Sequence, residues 1–374
     1  MKTDVKVPYV NIVAQHKPIK DELLSAIDKV INHGQFIFGD EVVEFEQRFA
    51  ELCDVQYAIG VNSGTDALIL ALRALGIGQG DEVITPPNSF VSTSSCIALL
   101  GARPIFVDVG DDYNIDPALI KEAITPCTRA IIPVHLTGRP ADMDAIRKVA
   151  AKHNLYVIED CAQAITAEYK GRRVGSMGSV GCFSLHPLKT LNACGDGGML
   201  TTNDKKLYEK LKIMRNLGLK NRNECVIWSG NSRLDTLQAA ILLVKLKYLD
   251  EWTEKRRANA AFYQQRLNSI PQMRIPIDKI YEKAVYHTFV IQCERRNELQ
   301  EYLAVQGIET AIHYPIPIHL QKAASELGYQ EGSFPVAEEQ AKRILSLPIY
   351  PELTSNELEY IVKCLSNFYQ RKGK

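Results

Sequence analysis

Short apolar runs alternate with stretches of helical period through the first half of the chain, and this alternation restricts the fold more than any single motif. D-E-V-I-T-P-P at 81–87, R-P-I-F-V-D-V at 103–109, R-A-I-I-P-V-H-L at 129–136 and L-Y-V-I-E-D at 155–160 are short and β-branched or apolar. Between them lie D-P-A-L-I-K-E-A-I and A-D-M-D-A-I-R-K-V-A-A-K-H, whose apolar residues recur at helical spacing. Strands that are apolar along their length belong to a parallel sheet covered by helices on both faces. The expected fold class is therefore α/β: three layers, α/β/α, around a mostly parallel sheet. Ligands of such sheets collect at the carboxyl ends of the strands. Three runs end in residues with something to offer a ligand, at 88–90, 159–163 and 186–189.

From about residue 234 the texture changes to one long helical pattern, L-D-T-L-Q-A-A-I-L-L-V-K-L-K-Y-L-D-E-W and onward to about 267. Beyond it, V-Y-H-T-F-V-I-Q-C reads as strand, R-N-E-L-Q-E-Y-L-A-V-Q-G as helix, I-E-T-A-I-H-Y-P-I as strand, and 355–369 as a final amphipathic helix. The expectation is a large domain over 1–250 and a smaller α+β domain over 251–374, with a segment of about 1–35 packing on the small domain. A chain of 374 residues is long enough for both cores. No internal repeat or low-complexity segment points to a solenoid or a tail.

Charge narrows the partners. Lysine plus arginine and aspartate plus glutamate are both 44, so no electrostatic footprint suggests nucleic acid or an anionic membrane. Small molecules and copies of the chain itself remain. The nine cysteines are scattered without a C-x-x-C pair and read as reduced, buried small hydrophobes. The opening M-K-T-D-V-K-V-P-Y-V lacks the apolar core of a signal peptide, and a cytoplasmic protein is expected.

Candidate chemistry starts with V-N-S-G-T-D-A-L-I-L-A-L at 61–72, where Ser63 or Thr65 can cap a helix whose first N–H groups form an anion site, with Gly64 admitting a phosphate to the backbone. G-S-M-G-S-V-G at 175–181 lacks the first tight G-x-G of a dinucleotide fingerprint and reads as a turn, which disfavours a dinucleotide-binding oxidoreductase. The histidines form no metal-ligand spacing, so no metal is expected, and His135 and His287 read as hydrogen-bonded structural residues. Lys189, in F-S-L-H-P-L-K-T-L-N-A-C-G-D-G-G, stands between an apolar run and a glycine-rich turn. Together with the acid Asp160, the aromatic Phe90 and the helix start at Gly64 and Thr65, it completes the parts needed to hold pyridoxal 5'-phosphate. An amine forms a Schiff base with the aldehyde, and an acid keeps the ring nitrogen protonated as part of an electron sink.

Ordered blocks along almost the whole chain resemble the DegT/DnrJ/EryC1/StrS family of sugar aminotransferases, enzymes of pyridoxal-phosphate fold type I. They include G-Q-F-I-F-G-D-E-V-V-E-F-E-Q-R-F-A, N-S-G-T-D-A-L-I-L-A-L-R-A-L, Y-N-I-D-P-A-L-I, V-I-E-D-C-A-Q-A-I-T-A, the lysine block, N-S-R-L-D-T-L-Q-A-A and A-I-H-Y-P-I-P-I-H-L. The resemblance implies that Lys189 is the Schiff-base residue and Asp160 the partner of the pyridine nitrogen. It implies Gln163 beside the phenolic oxygen, Phe90 stacked on the ring, and Gly64, Thr65 and Ser184 around the phosphate. Asn231 would reach the phosphate of a neighbouring subunit, so a homodimer with shared active sites is implied.

His313 and Tyr314 fall in a segment near the nucleotide-sugar pocket in this family. His186 is equally a substrate contact or a residue packed beneath the cofactor. Lysine at 189, where a dehydratase branch carries histidine, favours transamination, with L-glutamate as the implied donor and a nucleotide-linked keto sugar as acceptor. Gly230 and Leu217 depart from many members, which bears on the substrate and not on the cofactor. The G-D-G-G turn resembles branches that aminate C-3 of a 3-keto sugar. C-4 amination and a non-catalytic regulator on the same fold stay as alternatives.

Overall fold

The computed structural model describes residues 6–370. Its centre is a seven-stranded sheet in the order Tyr57–Val61, Gly198–Thr202, Val180–Ser184, Tyr156–Asp160, Thr128–Ile131, Glu82–Thr85, Arg103–Phe106. All neighbours pair in parallel except Gly198–Thr202, which runs antiparallel to both strands beside it. The mostly parallel sheet expected from the apolar runs is present. Because the six like-directed strands end on one edge, the loops after residues 61, 85, 160 and 184 meet there.

Helices cover both faces. Gly64–Ala74 buries Leu68, Leu70, Ala71 and Leu72, and its first turn is fixed by Ser63, whose hydroxyl accepts from the Asp66 N–H at 3.0 Å. Met143–His153 starts at Asp142, which accepts from the Ala145 N–H, and stops at Asn154 in the left-handed region at φ 55°. G-S-M-G is a turn, and its work is specific: the N–H groups of Gly175, Met177 and Gly178 all donate to the Glu159 carboxylate at 2.6–2.9 Å.

A second core surrounds the antiparallel strands Met273–Arg274, Phe289–Cys293 and Ile344–Leu347, with helices Leu249–Leu267, Arg296–Val305 and Ser355–Gln370 packed on them. Of the segment 1–35 expected against the small domain, residues 1–5 lie outside the described residues. Val7 bridges Ile308 and joins this second core, whereas helix Lys20–His33 packs on helix Thr236–Leu246 through Leu23, Ile241 and Val244.

Three expectations are corrected. The long helix from 234 is two helices, Thr236–Leu246 and Leu249–Leu267: Leu242 and Leu249 on either side of the break belong to the sheet's core, Ala260 and Tyr263 to the second. I-E-T-A-I-H-Y-P-I is not a strand. It touches its neighbours through single bridges at Ile308 and Ala311 and then turns its His313 and Tyr314 into a cavity. The nine cysteines are all free, but Cys127, Cys194 and Cys225 are exposed, so only six behave as buried hydrophobes.

One buried ion pair ties helix, strand and loop together. Arg215, capping helix Lys205–Met214, donates to Glu46 of helix Asp40–Leu52 and, at 2.9 Å, to the Gly60 carbonyl. Glu46 in turn accepts from the Gly60 N–H at 2.8 Å. Removing one member strands the other's charge in the interior. Arg215→Ala is expected to cost about 3–5 kcal/mol in chemical denaturation, while the double replacement Glu46→Gln, Arg215→Met costs clearly less.

Candidate active site

The strand ends enclose a cavity of about 400 Å³. Lys189 reaches it from the loop joining the adjacent antiparallel strands Val180–Ser184 and Gly198–Thr202. That loop is anchored from below. Asn192 donates to the Lys189 carbonyl at 3.0 Å, and the fully buried Lys245 donates to the Asn192 carbonyl and side-chain oxygen at 2.8 and 2.7 Å. Burial lowers the Lys189 amine to about 8, against the pull of the Asp160 charge. A lysine so shifted is a proton-transfer group near neutral pH rather than a fixed cation.

Asp160 is buried at the end of the central strand Tyr156–Asp160. Its Oδ2 accepts from the Thr93 hydroxyl at 2.8 Å and its Oδ1 from the Ala162 N–H at 3.1 Å. Since Thr93 spends its only proton on Asp160, it accepts from Ser89, 2.8 Å away. Burial pushes the Asp160 carboxyl up, while Thr93, Ala162 and the Lys189 charge pull it down. No arginine, lysine or histidine among the described residues comes within ion-pair distance of it. A buried carboxylate held only by neutral donors suits a cationic group arriving in the cavity.

The helix start lies against the strand end beside it. A Cβ on Gly64 would come within 2.7 Å of the Ser184 Cβ, so glycine here lets the helix terminus press on strand Val180–Ser184. Thr65 donates to the Ser92 hydroxyl at 2.9 Å. The first N–H groups of the helix have no intrahelical acceptor and, with the Ser184 and Thr65 hydroxyls, line the cavity as an anion cradle. Gln163 is fixed at both ends: its oxygen accepts from the Thr137 N–H at 2.8 Å and its nitrogen donates to the Tyr314 hydroxyl at 3.2 Å. Phe90 is 53% exposed, with its ring 5.8 Å from that of Tyr314.

His313 bonds Ser346 at 2.9 Å, and burial followed by the Lys189 charge lowers its imidazole to about 4, so it is neutral at physiological pH. His186 is exposed at the cavity rim. Lys189, Asp160, Gly64, Thr65, Phe90, Gln163, Ser184, His186, His313 and Tyr314 thus share one cavity. Asn231 does not join them. It is an exposed residue bridging Asn216, away from its own chain's cavity.

His135 is a structural residue as expected: its Nδ1 accepts from the Ala141 N–H, which leaves Nε2 to donate to Glu159 at 3.1 Å. These bonds also occupy the one cluster of potential metal ligands among the described residues, His135, Glu159 and Cys161. His287 is corrected. It lines the cavity, and its buried Nδ1 has no partner. Burial and the Lys189 charge hold its imidazole far below the usual range. Sequence reasoning also missed Thr93, Ser89, Asn192, Lys245 and Arg256. Lys245 alone left a signal, a lone charge inside A-A-I-L-L-V-K-L.

In the ligand-free protein, acylation of Lys189 by a small anhydride should rise with pH through a midpoint at about 8. Exposed lysines should keep rising to about 10.4. Peptide mapping of the labelled protein across the pH range checks this; a Lys189 midpoint with the surface lysines would show that burial does not lower its proton affinity.

The model of the DegT/DnrJ/EryC1/StrS aminotransferase family matches residues 17–366. A protein of Geobacillus stearothermophilus named "Pleiotropic regulatory protein" is 43% identical over 371 residues, 98% of this chain and 99% of its own. A dTDP-3-amino-3,4,6-trideoxy-alpha-D-glucose transaminase of Streptomyces venezuelae is 42% identical over 367 residues, 98% of this chain and 97% of its own. Among solved structures, S. venezuelae DesV in complex with a ketimine intermediate is similar with a TM-score of 0.95 at 41% identity, over 98% of both chains. With its mostly parallel sheet and a cavity holding a lysine and an acid at the strand ends, the chain belongs to the DegT/DnrJ/EryC1/StrS aminotransferase family.

Proposed function

We propose that this protein is a pyridoxal-phosphate-dependent aminotransferase that moves an amino group from an amino acid to C-3 of a keto nucleotide sugar. The observation that carries the reading is the pairing, in one cavity, of an amine lowered to about 8 with a buried carboxylate that lacks a cation. The family match supports the reaction class, and the 3-amino sugar in the S. venezuelae relative's name supports the position.

The residues fit the cofactor. Asp160 offers a carboxylate for the ring nitrogen, Lys189 a primary amine for the aldehyde, and the start of helix Gly64–Ala74 with Ser184 and Thr65 a cradle for the phosphate. When bound, the cofactor supplies an aldehyde for amine exchange and a ring that accepts the electron pair released as the donor loses its α-proton. Lys189 Nζ takes that proton and returns it on the other side of the exchange, which a pKa near 8 permits. Asp160 would hold the ring nitrogen's proton, and Thr93 with Ser89 behind it favours the ionised form of Asp160 against burial. Gln163 would meet the phenolic oxygen, and Phe90 would cover a ring face. Tyr314, His313 and His186 would border the acceptor sugar.

We assign the donor as L-glutamate and the active unit as a homodimer, in which Asn231 serves the phosphate of the partner's site. Its exposure outside its own cavity supports that role. The division near residue 250 separates the cofactor domain from the smaller one. Nine free cysteines support a cytoplasmic location.

The regulatory reading suggested by the G. stearothermophilus relative's name has no use for a base at residue 189. Purified protein should be yellow, bleach on borohydride reduction, and carry the adduct on Lys189. Lys189→Ala should fold, bind the cofactor without covalent attachment and lose transamination of keto nucleotide sugars altogether. Asp160→Asn should lower turnover by about 10²-fold or more, a larger change than its effect on stability. A Lys189→Ala variant that still transaminates would rule out the assigned base, and colourless protein that takes up no cofactor would leave the regulator standing.

A further inference from the structure

Two residues of the cavity wall have no part in that scheme. Arg256, on helix Leu249–Leu267, is buried and lines the cavity. Its Nη1 reaches only carbonyl oxygens, of Tyr286 at 3.4 Å, His287 at 3.5 Å and Ile349 at 3.4 Å, all at the outer edge of hydrogen-bond range. Its Nε is buried without a partner. The largest acidic influence on it is Glu352, followed by the Tyr9 hydroxyl, but no ion pair joins Arg256 to Glu352, whose Oε2 is itself buried without a partner. His287, whose carbonyl Arg256 reaches, lines the same cavity and has a buried, unpartnered Nδ1.

A buried guanidinium without a carboxylate is unfavourable unless an anion completes the site. Lys189 and Arg256 are the only lysine or arginine lining the cavity among the described residues, and Lys189 is committed to the cofactor. Among the described residues of its own chain, Arg256 is therefore the one permanent positive charge the cavity leaves for a substrate. The two substrates differ in where they carry their anions. A keto deoxyhexose of the kind named for the S. venezuelae relative brings a neutral ring to the reacting centre. Its diphosphate and nucleoside cannot fit beside the cofactor in about 400 Å³ and must lie towards the mouth. An amino acid brings a carboxylate into the interior with its amine.

We propose that Arg256, with His287 beside it, seats a carboxylate of the amino donor. The inference rests on the aminotransferase reading and adds the residue that recognises the first substrate. A planar guanidinium matches a carboxylate through two parallel N–H bonds, and a neutral imidazole adds a further polar contact without competing charge. The arrangement also lets one cavity serve two unlike substrates in turn, since the guanidinium need not bond the sugar.

The test separates the two half-reactions in the cofactor-loaded enzyme, followed by the absorbance of the bound cofactor. In Arg256→Gln, the glutamate concentration that half-saturates the first half-reaction should rise by about tenfold or more, as expected for loss of a charge-assisted bond. The second half-reaction, run on pre-aminated enzyme with the keto nucleotide sugar, should change little. Arg256→Lys should lie between Arg256→Gln and wild type. Glutarate, a dicarboxylate without an amine, should perturb the cofactor spectrum of wild type and lose that effect in Arg256→Gln.

Equal losses in both half-reactions, or loss of the cofactor itself, would make Arg256 a structural clamp on the three carbonyls and overturn the inference. Unchanged glutamate and glutarate saturation would overturn it too. If wild type fails with every amino acid tried, the aminotransferase reading falls first and takes the inference with it.

Discussion

A carboxylate buried at the end of the central strand, without a cation to balance it, is the constraint around which the cavity is organised. Asp160 is held by a hydroxyl and a backbone N–H, and the hydroxyl is oriented by a second hydroxyl, Ser89 behind Thr93. Neutral donors of this kind pull its carboxyl down only partly against burial. The group is therefore ready for a positive partner brought in from outside. In the family to which the chain belongs, a pyridine nitrogen is a partner of that kind.

The sheet's topology places the rest. Six strands end on the same edge, so residues far apart in the chain, at 64, 90, 160 and 184, converge without any local signal linking them. The single antiparallel strand Gly198–Thr202 has the opposite effect on its neighbour: it forces the preceding loop to turn back across the strand ends, carrying Lys189 over the cavity. A buried lysine, Lys245, then fixes that loop through Asn192. The nucleophile's support is thus another lysine, used for its three donors and not for its chemistry.

Much of this was legible from residue patterns. The strands at 82–85, 103–106 and 156–160 fall inside the runs that suggested them, and the strand at 128–131 begins one residue before its run, because a strand buried on both faces must be apolar along its length. The helix start was legible, with Ser63 or Thr65 as its cap, because capping is local chemistry; the structure gives the role to Ser63, whose hydroxyl meets an N–H three residues on. Failures came where tertiary contacts override local pattern. Nothing in Q-A-A-I-L-L-V-K-L-K-Y-L-D-E-W marks a helix boundary, and the chain passes from the sheet's core to the second core only beyond the break. I-E-T-A-I-H-Y-P-I has strand-like composition but spends its side chains on the cavity. His287 looked structural because its surroundings lie 98 positions away at Lys189, and Arg256 drew no reading because charged residues on a long helix usually face water.

By itself, the sequence determined the layer architecture, the helix cap, and the lysine and acid as chemically exceptional residues, because each is set by periodicity or by residue type at short range. Only the tertiary structure decided which groups face one another. It brought Thr93 to Asp160, set Asn192 between Lys245 and Lys189, and left Arg256 and His287 with unused hydrogen-bonding capacity on one wall. The reason is physical: the strength and sign of an electrostatic interaction depend on burial and on what lies across a cavity, and neither is a property of neighbouring positions in a chain.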